Sequence, residues 1–211
     1  MDDIVAITLF RHGLTEANKR HAYLGWTDSP LCPLAKEELR EVSATYHLLF
    51  SSDLERCLET ARRMFPNAAP VQMRELREMN FGCWEGKVYE ELKDDREYQQ
   101  WLNAPTSIQP PYGESFTEFS FRVMDGWEKM INKVLAENVE KAAIMTHGGV
   151  IRLLLTRFAP EVKDFWDWTP AHGKGYKLIW NRKDLRRGER CTLLQEVPLM
   201  ANPNGSMNII N

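Results

Sequence analysis

Two short motifs carry the residue types needed to handle a phosphoryl group. Arg11-His12-Gly13 follows one apolar run, and His147-Gly148-Gly149 follows another. An imidazole with its ordinary pKa of about 6.5 is largely neutral near pH 7 and can serve as a nucleophile. A guanidinium fork matches phosphate oxygens two at a time, and Arg11 and Arg56 supply two forks. A glycine after each histidine lets the backbone approach a ligand closely. A helix starting at Gly148 or Gly149 would offer free N–H groups to an anion. Phosphoryl transfer rests mainly on positioning and charge stabilisation, so this chemistry needs no metal cluster, and the sequence displays none. It does need a group that protonates the leaving oxygen and later activates water, and one carboxylic acid can do both. The segment from Arg74 to Gly86 contains Glu75, Glu78 and Glu85, which spacing alone does not rank.

These residues must be positioned by a scaffold. Residues 4–10 (IVAITLF) and 142–146 (AAIMT) are apolar without alternation, as expected of strands covered on both faces. Helical patterns lie between and after them. Pro33 suits the first turn of a helix reaching to about Tyr46. Ser52 with Glu55, and Ser115 with Glu118, have the spacing of capping boxes. The first predicts a helix through about Met64. The second opens a long helix with Phe116, Phe119, Val123, Trp127, Met130 and Val134 on one stripe. A further helix is expected from Gly149 to about Phe158, then late strands at 177–181 and 192–197 around a turn at Arg187-Gly188. Alternating strands and helices predict an α/β fold with helices on both faces of the sheet. In such sheets ligands bind beyond the carboxyl ends of the strands. Were the two long apolar strands neighbours, His12 and His147 would meet there.

The chain has 211 residues, with 27 Lys plus Arg against 30 Asp plus Glu and a net charge of −3. That balance argues against a nucleic-acid partner. No apolar run approaches the ~20 residues of a membrane span, and the acidic Met1-Asp2-Asp3 start is unlike a secretory leader. Cys32, Cys57, Cys83 and Cys191 are widely spaced and read as reduced, small buried hydrophobes of a cytoplasmic protein. The chain reads as a single domain over 1–211. A cap-like insertion lies at about 74–113, with a proline-bearing loop at its end, and the polar tail 202–211 is expected to be mobile. His21, His47 and His172 read as surface or loop residues.

Arg11-His12-Gly13 with Thr15 and Asn18, Gly25 to Leu31, Ser51 to Arg56 with Thr60-Ala61, Glu78 with Gly82, Gly113-Glu114-Ser115, and Thr146 to Arg152 stand in an order that resembles the histidine phosphatase superfamily, also called phosphoglycerate mutase-like. The likeness spans about residues 4–157, and ordered blocks are far more specific than one motif. It implies a three-layer α/β/α fold with a mixed, mostly parallel central sheet. It also implies that His12 is the phosphorylated nucleophile and that Arg11, Arg56, His147 and Gly148 hold the phosphoryl oxygens, with Asn18 as a further donor. Glu78 becomes the general acid and base. Thr15, Leu24, Gly25, Trp26, Phe81, Trp84 and Tyr112 are expected to shape the substrate pocket.

Departures from the family pattern are Cys57 for alanine, Cys32 and Ala35 for threonine and glycine, and Leu24 for a polar residue at the expected rim. The resemblance implies no cofactor and no metal. The expected partner is a small-molecule phosphomonoester, with no nucleic acid and no membrane, and a homodimer is compatible with it. Mutases of the family are longer and follow the last histidine with Gly-Asn-Ser. This chain reads Gly148-Gly149-Val150, which favours a phosphatase over a bisphosphoglycerate-dependent mutase. The filled catalytic positions disfavour a non-catalytic binding module. The last block also resembles the α-ribazole phosphatase branch.

Overall fold

The computed structural model describes residues 3–172 and 174–198. In chain order the elements are β1 (Ile4–Arg11), α1 (Glu16–Lys19), α2 (Pro33–Glu38), β2 (Leu48–Ser52), α3 (Glu55–Met64), β3 (Val71–Met73), α4 (Tyr89–Leu92), α5 (Arg96–Asn103), α6 (Phe116–Ala136), β4 (Lys141–Thr146), α7 (Gly148–Phe158), β5 (Lys174–Asn181), α8 (Arg182–Arg186) and β6 (Leu193–Pro198). The six strands form one sheet in the order β3-β2-β4-β1-β5-β6. The first four are mutually parallel, whereas β5 runs antiparallel to β1 and β6. The sheet is therefore mixed and mostly parallel.

The two apolar runs are indeed neighbours, with Arg11 opposite Thr146, and the His12 N–H extends the ladder to the Thr146 carbonyl at 3.0 Å. Their missing alternation is explained by cover on both faces. Val5, Ile7 and Leu9 pack in one cluster with Phe119, Val123, Trp127 and Met130 of α6 and with Val150, Ile151 and Leu154 of α7. Phe10, Ala143 and Met145 point the other way, into a cluster with Cys57, Ala61 and Met64 of α3. Helices thus bracket the sheet in three layers.

The capping box at Ser115 is present: its hydroxyl accepts the Glu118 N–H at 3.2 Å and the Glu118 carboxylate accepts the Ser115 N–H at 2.8 Å. The one expected at Ser52 is not. Ser52 is the last residue of β2, and the N-cap position is Leu54, without a side-chain bond. The N–H groups of Glu55 and Arg56 are taken instead by the carboxylate of Asp28, 27 and 28 residues upstream. The helix expected from Pro33 to Tyr46 also stops early. Leu39 turns to extended backbone and is buried beside Met64 and Phe65, and the Val42 N–H bonds the Met64 carbonyl at 2.9 Å. Burial of Leu39 overrides helical propensity there, as tertiary context commonly does. The sequence pattern did not reveal β2 and β3. The tail 202–211 lies outside the described residues.

Within 74–113, Trp84, Leu92, Tyr98 and Trp101 build an aromatic cluster separate from the sheet's cores. Three cysteines are buried as expected, but Cys83 is exposed. Among the described residues no helix is long and apolar enough to cross a membrane.

Candidate active site

The sheet delivers the chemistry at the carboxyl ends of β1, β4 and β2. His12 directly follows β1, His147 caps the N-terminus of α7 after β4, and Arg56 lies in the first turn of α3 after β2. The rings of His12 and His147, far apart in sequence, have centroids 5.1 Å apart. Both histidines are essentially buried, and Arg56 is 1% exposed.

A hydrogen bond assigns the tautomer of His12. His12 Nδ1 lies 2.8 Å from the Gly13 carbonyl. A carbonyl only accepts, so Nδ1 carries the hydrogen and the lone pair of a neutral ring sits on Nε2. His147 Nε2 is 2.9 Å from Ser52 Oγ. Ser52 Oγ already receives the Leu54 N–H at 3.4 Å, so its own hydrogen can go to Nε2. With Nε2 as acceptor, His147 Nδ1 is the N–H donor. Cys57 Sγ lies 3.5 Å from His147 Nε2, so this departure from the family pattern touches the site. Burial, then the Arg56 charge, holds both imidazoles well below their usual pKa. Arg11 is lowered too, chiefly by burial.

The guanidiniums are only partly used. Arg56 donates to the carbonyls of Thr27 and Gly25 and to Asp28 Oδ1 at 3.2 Å. Arg11 donates to the Pro170 carbonyl. The Nε groups of both are buried and have no acceptor among the described residues. A buried, unpaired N–H is costly and uncommon in native proteins. Two of them stand beside the histidine pair. Gly148 packs against the Arg11 guanidinium. Asn18 is tied through its Oδ1 to the Thr15 hydroxyl at 2.9 Å, and its amide NH2 is not engaged among the described residues.

The three candidate carboxylates separate by their partners. Glu85 accepts the Trp26, Phe81 and Thr27 N–H groups and so holds two loops together. Glu75 pairs with Lys129 at 2.5 Å. Among the described residues, Glu78 instead receives only the N–H groups of Met79 and Gly149, at 3.0 and 2.9 Å, and it lines a cavity of about 560 Å³. Gly149 leaves room for this carboxylate: a Cβ there would stand 2.2 Å from Glu78 Oε1 and would push it aside. Arg122 of α6 fixes the segment: it forks onto Glu114 with two 2.7 Å bonds and donates to the carbonyls of Glu75, Arg77 and Glu78.

The cavity is otherwise largely apolar. Tyr23, Phe81, Trp101, Phe116, Phe119, Phe165 and Trp166 line it with Arg152. Of the residues expected at the pocket wall, Phe81 alone lines it. Leu24 is buried with Ala17 and Ala22, which explains its apolar character. Trp84 is buried in the aromatic cluster of 74–113, and Tyr112 is 91% exposed. Thr15 caps α1. Gly25 serves through its carbonyl to Arg56, and Trp26 through its indole N–H to the Glu78 carbonyl at 3.0 Å. Sequence reasoning missed Asp28, Arg122 and the cavity-lining role of Arg152, which stands in the last quoted block but drew no role.

His172, read from sequence as a surface or loop residue, is at the site. Its ring centroid lies 5.5 Å from that of His12. The only signal that could have found it is its place just ahead of a strand antiparallel to β1.

A mixed, mostly parallel α/β sheet here carries two buried histidines, buried Arg56 and half-buried Arg11 at its strand ends. The model of the histidine phosphatase superfamily (branch 1) matches residues 7–186, and the chain belongs to that superfamily. It is a phosphatase enzyme that works through a phosphohistidine. It is 33% identical over 159 residues to the adenosylcobalamin/alpha-ribazole phosphatase of Escherichia coli (strain K12), covering 71% of this chain and 76% of the relative. It is 31% identical over 191 residues to the protein of the same name from Salmonella typhimurium, covering 85% and 90%. The crystal structure of the alpha-ribazole phosphatase from Shigella flexneri superposes with a TM-score of 0.78 at 25% identity, over 93% of this chain and 96% of that one.

Proposed function

We propose that this chain hydrolyses small phosphomonoesters with a bulky apolar or aromatic leaving group, with His12 as nucleophile and no metal in the reaction. The observation that carries this is the pair of unpaired guanidinium Nε groups beside a histidine held with its Nε2 lone pair available. His12 Nε2 attacks phosphorus as the bond to the leaving oxygen breaks, and the Glu78 carboxyl gives its proton to that oxygen. Arg11, Arg56 and the His147 Nδ1–H stabilise the charge on the transferring group, with Asn18 and the Gly148 N–H at its edge. Water, deprotonated by the Glu78 carboxylate, then attacks the phosphohistidine. The P–N bond breaks, inorganic phosphate leaves, and His12 is restored.

The aromatic cavity beside Glu78 supports the leaving-group class, since flat rings stack favourably on such walls. Trp101 adds a buried indole N–H with no acceptor among the described residues. Alpha-ribazole phosphate is the narrower reading, favoured by the names of the relatives and by this cavity. The chemistry is assigned to cytoplasmic metabolites, with no nucleic-acid partner. The test is a panel of phosphomonoesters assayed with EDTA, including alpha-ribazole 5′-phosphate, aliphatic sugar phosphates and phosphoglycerate with and without 2,3-bisphosphoglycerate. Preference for aromatic leaving groups, with no isomerisation of phosphoglycerate, is expected. Dependence on added Zn²⁺ or Mg²⁺, or efficient isomerisation, would overturn the reading.

A further inference from the structure

His172 enters the site by a route that the parallel strands do not use. Because β5 is antiparallel to β1, with Gly175 opposite Phe10, the chain just before β5 arrives at the carboxyl end of β1. Gly175 makes the approach close: a Cβ there would be 2.8 Å from the Leu9 carbonyl oxygen. The incoming segment then grips both members of the first motif. The Pro170 carbonyl accepts from Arg11, and His172 Nδ1 lies 3.2 Å from the carbonyl of His12. Since that carbonyl only accepts, Nδ1 is the donor and Nε2 of the neutral ring carries a lone pair. The anchored ring faces the nucleophile's ring at 62°.

We infer that His172 is a third imidazole of the phosphoryl site: anchored on the nucleophile's own carbonyl, it takes up a proton at Nε2 when the phosphoryl dianion arrives and donates it as a hydrogen bond to a phosphoryl oxygen. The inference rests on the phosphatase reading of the site. The charge balance supports it. Without an anion, burial and then the Arg11 charge hold His172 to a pKa of about 4, so the ring is neutral at physiological pH. Among the described residues, the charged and titratable groups acting on it are Arg11 at the end of β1 and His12 just after it. Arg56 from α3 and His147 from α7 act on the same His12. A bound dianion offsets the Arg11 charge that opposes protonation. An unprotonated Nε2, in contrast, would set a lone pair against phosphoryl oxygen. One proton from solvent enters with the dianion and leaves with the product phosphate.

Tungstate binding measures this directly, because tungstate is a tetrahedral dianion without a titrating proton near pH 7.5. Calorimetry in two buffers of different ionisation enthalpy gives the protons taken up per tungstate bound. Wild type is expected to take up about one proton more than His172→Asn, which keeps a donor for the His12 carbonyl but does not titrate. Tungstate should also bind about ten- to a hundredfold more weakly to the variant, the range for a charge-assisted bond. His172→Gln should behave like His172→Asn. If both variants match wild type in proton uptake and affinity, His172 is structural and the inference falls. If wild type itself binds neither tungstate nor inorganic phosphate, the phosphatase reading falls with it.

Discussion

The phosphoryl pocket and the aromatic cavity meet at Glu78 and Gly149, yet they are built by opposite rules. The pocket collects buried Arg56, His12 and His147 with half-buried Arg11 and His172, and desolvation followed by the guanidinium charges pushes the imidazoles toward the neutral form. Such a cluster has little to recommend it for stability, and the proposed phosphoryl group would offset its charge. The cavity collects Phe81, Trp101, Phe116, Phe119, Phe165 and Trp166, which fit any flat apolar group. In the proposed reaction one region carries the phosphoryl transfer and the other receives the leaving group. Glu78, reachable from both, suits the step that links them, protonation of the departing oxygen.

Substitutions should separate the two regions. His12→Ala should lower turnover of every substrate by about 10⁴-fold or more, as loss of a nucleophile does; retained hydrolysis of p-nitrophenyl phosphate would break the assignment. Arg56→Lys keeps charge but loses the fork. A fall of about 10²–10³ in kcat, the cost of losing one preorganised donor, should appear for aromatic and aliphatic esters alike. Glu78→Gln should cost about 10²-fold on esters with poor leaving groups and much less on p-nitrophenyl phosphate. An equal loss on both would remove Glu78 from its role. In the cavity, Phe165→Ala should lower kcat/KM for aromatic esters by about tenfold and leave aliphatic esters nearly unchanged, so a uniform effect would merge the two regions.

Acidity should distinguish them as well. An imidazole with a depressed folded pKa binds fewer protons than its unfolded counterpart, so stability is full above about pH 6.5 and falls as pH drops toward the folded value, about 4 for His172. Thermal melts should show Tm declining across that window. Tungstate should offset the decline, and His172→Asn should flatten it.

Much of the pocket was legible in the sequence because its residues sit next to strong backbone signals. His12 and His147 end unbroken apolar runs, and a strand buried on both faces leaves few alternatives for where those runs go. The partner of Arg56 was not legible. Ser52 and Glu55 have capping-box spacing, but the hydroxyl is spent on His147 and the helix is capped by Asp28 from a distant loop. Local spacing cannot register a competitor that arrives through tertiary structure. His172 escaped for a related reason, since the direction of β5 decides which end of that strand reaches the site. The ranking among Glu75, Glu78 and Glu85 came from resemblance; in the structure Glu85 and Glu75 are engaged by loop N–H groups and by Lys129, partners that spacing in the sequence does not reveal. The pocket wall was read least well. Trp84 and Tyr112 have the composition of a wall, but one is core and the other is exposed.

The central claim is that His12 accepts the phosphoryl group. Rapid mixing with a good substrate, a quench that preserves phosphoramidate, and peptide mass spectrometry test it most directly. The account requires one added phosphoryl group, acid-labile, on the peptide containing His12, and its absence from His12→Ala. A phosphoryl group mapped to another residue, or turnover with no phosphoenzyme at any time, would contradict it.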